Sequence, residues 1–504
     1  ISVFCFRFLP QGFFPDMDYD QLYIEYKLNE GLNSSRTKAD LSEIEDYLLA
    51  REDVRHVTTS IGGTPARYNL VRTIADPSLS YGELIVDYVS SKALVASIDE
   101  IQNYLNENYP DAYIRVKRYN LMYKKFPIEV EFRGPDPEVL KHLRAQAIDV
   151  IAESQAVYMP TSNWPQKVPV LMIDYNQAVA RGLGLSRRDI GLSVMSATDG
   201  IPIAEFYDGI ESKAITLKTV DKDGKPIESL ENTPVFGLLP SLSSIDRESI
   251  QGLLTGSVSE EEILESIMQT IPLSQASSGV YINWEEPVVI RSNGERAMSV
   301  QCYPVPGLAV ESARQSIAAQ IEEIDLPAGY SLSWEGEYKA SQQSTKYLFK
   351  YYPLAVILMI AILIMLFKDY RKPLVIILCM PLLSIGIIAG MLISGKTFGF
   401  VAIVAALGLV GMLIKNGIVL MDEITLQISE GVEPVKALMD SSENRFRPVM
   451  LASLTTILGM IPLLNDPLFG PAAVVIMGGL LVGTLITLLF IPVLYAIFFK
   501  IKLK

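Results

Sequence analysis

The run FGFVAIVAALGLVGMLIKNGIVLM, residues 398–421, decides the class of this protein. About 24 nearly unbroken apolar residues cross a bilayer as a helix at a rise of about 1.5 Å per residue. Lys415 and Asn416 interrupt the run. A lysine inside a spanning helix is costly, so it pairs, faces a protein or water-filled interior, or snorkels along its own stem. Asp422 lies only roughly 10 Å farther along the axis, so snorkelling stands as the alternative to a functional role. Gly399, Gly408, Gly411 and Gly417 favour close helix packing, which leaves less lipid to snorkel through.

Further apolar runs occur at residues 351–367, 373–394, 449–464 and 471–499, so the last third of the chain is expected to hold five spanning helices. The links carrying Lys368, Arg371 and Lys372, then Lys436, Arg445 and Arg447, are basic, as are Lys500, Lys502 and Lys504 in the tail. The opposite loops hold only Lys396 and Asp466. The positive-inside rule therefore places the basic links and the C-terminus in the cytoplasm, and the large region before the helices outside. Residues 1–15 read as the end of a truncated spanning helix broken by Pro10, Gly12 and Pro15, so the sequence is expected to be part of a longer chain.

The chain has 504 residues, is 49% hydrophobic and carries a net charge of -14, a mixture that fits one lipid-buried part and one acidic, water-soluble part. The negative balance argues against a nucleic-acid partner. Cys5, Cys302 and Cys379 show no paired spacing, so no disulfide framework is expected. His56 and His142 lie far apart in sequence and give a zinc cluster or a histidine triad little to build on. The sequence has no G-x-x-x-x-G-K-[ST] loop, which weighs against an ATP-driven machine and leaves ion movement as the energy source.

Residues 16–125 alternate short strands and helices: strands at 21–28, 54–61, 66–74 and 112–118, helices at 35–49 and 91–109. That β-α-β-β-α-β order is the split βαβ, or ferredoxin-like, arrangement. A second copy starts with a strand at 126–134, a helix at 137–154 and a strand at 168–176. It resumes with a hairpin over 288–305 turned at Asn293-Gly294, a helix at 310–321 and a strand near 329–336. The second subdomain is thus split over 126–176 and 286–345, around an inserted subdomain at 177–285. The insertion holds an expected helix at 186–197, a hairpin turned at Asp223-Gly224 and an acidic helix at 259–268. The expected fold class is a multidomain membrane protein, a transmembrane helical bundle (346–504) plus an α+β outer region.

Besides Lys415 and Asn416, the fourth spanning run offers Ser453, Thr455 and Thr456, whose ordinary use is a bond to a carbonyl one turn back. A lysine that pairs with a carboxylate, and is freed when that carboxylate takes a proton, is a coupling element. Since no carboxylate stands inside the apolar runs, its partner must come from elsewhere.

Taken together, FLPQGFFPDMD, IDYNQAVARGLGLSRRDI, LPAGYSLSWEGEY, GLVGMLIKNGIVLMDEI and RFRPVMLASLTTILGMIPL occur in an order that resembles the C-terminal half of resistance-nodulation-division (RND) efflux permeases of the acriflavine-resistance type. The resemblance implies an inner-membrane secondary transporter, not an enzyme, driven by the proton gradient with no other cofactor. It implies a homotrimer working with a periplasmic adaptor, an outer-membrane channel and the N-terminal half of the same chain. The two βαβ units would be porter subdomains flanking a substrate cleft, and the insertion a docking subdomain.

Residue by residue, Lys415 matches the family's relay lysine, Asn416 stands beside it, and Arg445 matches a relay arginine. The relay threonine position is Ala452, which leaves a hydroxyl role to Ser453 or Thr456. In the cleft, Phe126 matches a drug-binding phenylalanine and Ile128 a second aromatic position. Glu25 and Thr58 stand where multidrug members carry apolar residues, and the loop ending at Tyr68 is shorter than their switch loop. The expected substrates are small amphiphilic compounds. The alternatives are a metal-ion exporter, an RND-like lipid- or protein-export accessory, and a non-pumping receptor. Met17, Met122, Met159 and Met172, candidate soft ligands, are scattered and read as core filling.

Overall fold

A computed structural model describes residues 5–32, 34–66, 68–122, 126–182, 185–209, 211–221, 223–227, 229–236, 251, 255 and 270–501. The chain divides into two compact units, residues 1–166 with 288–504, and residues 167–287.

The first unit opens with β1 (Gln21–Lys27), α1 (Ser34–Leu49), β2 (Val54–Ile61), β3 (Tyr81–Tyr88), α2 (Ser91–Asn108) and β4 (Tyr113–Lys117). The strands form one antiparallel sheet in the order β2-β3-β1-β4. Alternation along β1 and β4 sends Leu22, Ile24, Ile114 and Val116 to one face, where they pack on Leu41, Ile44, Leu94 and Ile101 of the helices. Each such side chain contributes about 1.5–3 kcal/mol by leaving water. Ser90 caps α2 by accepting the Ala93 N–H.

The run 66–74 is not the third strand. That place belongs to β3, which is hydrogen-bonded on both sides and buried along nearly its whole length. Burial on both faces removes the period-2 signal from YGELIVDY, while Arg72 in the expected strand is drawn out of strand geometry by side-chain partners described below.

A second sheet begins with β5 (Ile128–Arg133), α3 (Pro137–Glu153) and β6 (Val157–Ser162). Asp136 caps α3 through the Glu138 N–H, with Pro137 at the first helical position. The expected strand at 168–176 does not join this sheet; β6 takes the place instead.

Val168–Tyr175 (β7) belongs to the second unit, which continues with α4 (Gln177–Gly182), α5 (Arg187–Ala197), β8 (Ile201–Asp208), β9 (Glu211–Leu217), β10 (Pro234–Val235), β11 (Ile271–Pro272), α6 (Leu273–Ala276) and β12 (Ser277–Glu285). Within it β7 pairs β12, β8 pairs β9 and β10 pairs β11. Ser186 and Asp189 form a capping box at the start of α5. The expected turn at Asp223-Gly224 closes only an isolated bridge, Val220 to Pro226. The acidic helix expected at 259–268 lies outside the described residues.

The second sheet is completed by β13 (Arg291–Ser292), β14 (Glu295–Pro304), α7 (Val310–Glu322) and β15 (Ser331–Trp334), in the order β13-β14-β5-β15 with β6 also on β14. Asn293 and Gly294 both take positive φ, as a two-residue hairpin requires. Ile128, Val130 and Phe132 meet Leu140, Leu143 and Ile317 in its core.

The remaining helices are α8 (Gly336–Phe367), α9 (Arg371–Cys379), α10 (Leu383–Ser394), α11 (Phe400–Ser429), α12 (Pro434–Met460) and α13 (Gly470–Phe498). A 3-10 turn, Met380–Leu382, joins α9 to α10, and together these helices supply five segments long and apolar enough to cross a membrane. The first of them is not confined to 351–367: α8 runs on from the second sheet, with the Glu335 N–H bonded to the Glu129 carbonyl at 2.8 Å. α13 is the hub, touching α9, α10, α11 and α12. At the α10–α13 crossing Gly386 and Gly478 face each other so closely that a Cβ on either would meet the other's carbonyl.

Candidate functional site

The membrane candidates lie on α11 and α12. Val404, Gly408, Gly411, Lys415, Val419, Asp422 and Leu426 recur every three or four residues and form an exposed stripe along α11. Ile414, Gly417 and Met421 on the other side are buried against the remaining helices. Lys415 therefore points away from the five-helix core, and among the described residues it forms no ion pair. A Cβ added at Gly408 or Gly411 would meet nothing, so the stripe around the lysine is shallow. Asn416 is half-buried beside it.

Arg445 lies at another level of the helices, where its Nη2 donates to Glu423 Oε2 at 2.6 Å. Glu423 Oε1 also accepts from Gln427 at 3.0 Å. Arg445 Nε is sealed from solvent with no acceptor among the described residues. Ser453 is turned inward, its Oγ accepting from Thr484 at 2.7 Å, while Thr484 also reaches the Leu480 carbonyl. Thr456 bonds only the Ala452 carbonyl, at 2.8 Å. The hydroxyls thus serve helix packing and backbone, as their type usually does. Lys415 and Arg445 are not in contact.

The outer candidates are built on the sheet face opposite the helices. Register places Tyr23 across from Lys117 and Glu25 across from both Arg115 and Glu83. Two carboxylates directly opposite each other repel, and both are buried: Glu25 is 4% exposed and Glu83 0%. Arg72, itself buried, bridges the pair and supplies one of the two positive charges that balance it. Its Nη2 lies 3.1 Å from Glu25 Oε1 and 2.5 Å from Glu83 Oε2, and its Nε donates to Glu83 Oε1 at 3.1 Å. The guanidinium stacks 4.1 Å over the Tyr23 ring. Lys117 Nζ takes the second oxygen of Glu25 at 2.7 Å. Thr64, Tyr68 and Tyr81 donate hydroxyls to Glu83, so the segment between β2 and β3 is tied down by this one carboxylate. Burial, reinforced by Glu25 and Glu83, pushes the Tyr81 hydroxyl up and keeps it a donor.

Beside this network lies a cavity of about 570 Å³, within the range of small-molecule sites. Tyr23, Glu25, Arg115, Lys117, Tyr158 and Tyr303 are among its lining residues. Arg115 stacks 4.3 Å over Tyr303 and 4.9 Å over Tyr158.

Of the five expected substrate residues, Glu25 alone is in the lining. Phe126 is buried behind it, 5.3 Å from the Tyr303 ring, and Ile128 is in the second sheet's core. Thr58 is exposed on β2, and Tyr68 is spent on Glu83 and Tyr119. Arg72, Arg115 and Lys117 were missed. The only available signal was YIRVK, where alternation puts Arg115 and Lys117 on the face that Glu25 shares.

A long α+β region joined to five helices long and apolar enough to cross a membrane, one of which presents a lysine on its exposed face, is the architecture of a multi-pass membrane protein. Residues 1–499 match the AcrB/AcrD/AcrF family, and the chain belongs to it as an RND-type efflux permease. The nickel and cobalt resistance protein CnrA of Cupriavidus metallidurans is 27% identical over 66% of this chain and 29% of its own length. The toluene efflux pump membrane transporter TtgE of Pseudomonas putida is 22% identical over 99% of this chain and 46% of its own. The nickel-cobalt-cadmium resistance protein NccA of Alcaligenes xylosoxydans xylosoxydans is 26% identical over 64% and 28%. A solved heavy metal efflux pump superposes with a TM-score of 0.73 at 16% identity, over 100% of this chain and 49% of that one, which shows a shared fold. The chain spans less than half the length of each of these relatives. The family is one of inner-membrane transporters, not enzymes.

Proposed function

We propose that this chain supplies half of a proton-driven exporter. The observation that carries the reading is Lys415, set on the exposed, glycine-lined face of α11 where a further helix carrying a carboxylate fits. Protonation of that carboxylate frees the lysine and biases the equilibrium between outward and inward cleft conformations. Arg445 extends the relay at the level of Glu423, and Asn416 flanks it. The two four- and five-stranded sheets act as porter subdomains beside the cavity, and the unit at 167–287 acts as the docking part of a trimer that works with an adaptor and an outer channel.

The cargo we assign is a divalent metal cation rather than the amphiphile expected from the sequence. Two of the three relatives named above are nickel and cobalt resistance proteins, and that supports the assignment. The aromatic lining of the cavity, Tyr23, Tyr158 and Tyr303, is the feature that favours an amphiphile, as does the toluene pump among the relatives. The deciding experiment compares cells expressing the full-length parent, with Lys415 intact or replaced by methionine, at equal protein level. Growth limits are measured in Ni²⁺, Co²⁺ and Cd²⁺, and in a panel of amphiphilic dyes. Metal tolerance lost with Lys415→Met supports both relay and cargo. Dye tolerance alone lost with it moves the cargo to amphiphiles, and identical tolerance in both strains removes the relay reading.

A further inference from the structure

The wall between two cavities holds a carboxylate without a counter-charge. Glu337, 8% exposed, is the second residue of α8 and lines both the cavity of about 570 Å³ and a neighbouring one of about 250 Å³. Its Oε1 accepts the Phe13 N–H at 2.8 Å. Among the described residues Oε2 meets no donor, and no lysine or arginine comes within ion-pair distance of either oxygen.

The two arginines beside Asp16 and Glu311 are committed elsewhere. Arg314 forks onto Glu311 at 2.7 and 2.9 Å and stacks 4.0 Å from the centre of the Tyr338 ring. Arg118 faces Asp16 at 3.9 Å and donates to the Met17 carbonyl at 2.9 Å. Around Glu337 itself three acids, Glu337, Glu311 and Asp16, stand against two arginines. Elsewhere in the lining Glu25 and Asp99 are accompanied by Arg72, Arg115 and Lys117, so the negative excess is local to Glu337 and the two linings as a whole balance. The start of α8 offsets only about half a charge. A buried ionised carboxylate with one hydrogen bond and no counter-ion is costly, and either a proton or a bound cation relieves that cost.

We propose that the Glu337 carboxylate is a binding site for a cargo cation, contacted at Oε2 from the cavity. The proposal rests on reading the cavity as part of an export route, and on the metal reading the occupant is a hydrated divalent ion such as Ni²⁺ or Co²⁺, whose charge compensates the carboxylate and whose bound waters can donate to its free oxygen. Carboxylates of Asp16 and Glu311 nearby add to the attraction without being freed from their arginines.

The test uses the purified full-length parent in lipid nanodiscs, as wild type, Glu337→Gln and Thr58→Ala. Glutamine keeps the shape and the acceptor for Phe13 but removes the charge. Equilibrium binding of Ni²⁺, Co²⁺ and an organic cation, tetraphenylphosphonium, is measured by calorimetry. The expected result is at least a tenfold loss of Ni²⁺ and Co²⁺ affinity in Glu337→Gln, with Thr58→Ala, an exposed position on β2 away from both cavities, binding as wild type does. If only tetraphenylphosphonium binds and loses affinity in Glu337→Gln, the cation site stands and the metal assignment falls. Unchanged affinities in Glu337→Gln, or no binding of any probe by wild type, overturn the proposal. Should Glu337→Gln misfold, a Co²⁺ soak of the wild type decides: an anomalous peak against Glu337 supports the site, and peaks only elsewhere overturn it.

Discussion

Replacing Arg72 by methionine removes the one group that joins Glu25 to Glu83. Methionine refills much of the volume against Tyr23, so the loss is chiefly electrostatic. Glu83, fully buried, keeps the hydroxyls of Thr64, Tyr68 and Tyr81 but loses both guanidinium bonds. Glu25 keeps Lys117. Removing one partner of a buried pair costs about 3–5 kcal/mol, because a charge is left without compensation. At about 1.4 kcal/mol per tenfold, that is roughly a 10²- to 4 × 10³-fold rise in local opening. Hydrogen exchange of the full-length parent reads it directly: amides of β1, β3 and the segment between β2 and β3 should exchange faster, while the second sheet keeps its rates. A second variant, Arg72→Met with Glu83→Gln, should recover most of the protection, since the orphaned charge is gone. A single variant whose β3 amides slow or stay within threefold of wild type would refute the argument that Arg72 compensates buried charge.

Three other outcomes follow from the geometry. Ser453→Ala removes the hydroxyl that Thr484 reaches at 2.7 Å and should cost about 1 kcal/mol in a stability assay while leaving export intact, because Thr484 keeps its own carbonyl. Gly478→Val should abolish assembly of the helical bundle, seen as loss of the monodisperse peak in size-exclusion chromatography, because its side chain would drive into Gly386. Cys302, whose thiol burial pushes up to about 12, should resist maleimide at pH 7 to 9 in the folded protein and label only on unfolding.

Much of this structure was legible from period alone. Apolar runs of about twenty residues have few alternatives to a spanning helix. Strands β1, β4 and β5 show much of their alternation because helices cover one face of each sheet, and Asn293-Gly294 announced its turn. What stayed hidden depends on contacts distant in sequence. β3 is a central strand whose polar residues, Glu83 and Asp87, are satisfied by Arg72 and Gln21, so its pattern carries no alternation. Arg72 lies in a stretch that looked like a strand because its partners are 47 and 11 residues away. Lys415 needed no partner to be noticed, since a charge in an apolar run is visible locally. Glu337 drew no notice for the opposite reason: a glutamate in a polar helix start is ordinary until its burial is known.

The unbroken course of α8 from the second sheet into the apolar segments has a mechanical corollary. Its 32 residues make a rod of about 48 Å, with Pro353 near the middle and the Glu129 and Pro127 carbonyls gripping its first turn. Turned by about 5° about its membrane end, a rigid rod of that length carries its sheet end, and the carbonyls bonded to it, through roughly 4 Å, unless bending at the proline absorbs it. The stiffness of that joint therefore sets how much of a swing in the bilayer arrives at β5 as translation, and how much is dissipated as a kink. Leverage is a property of a helix that the second sheet and the apolar segments share.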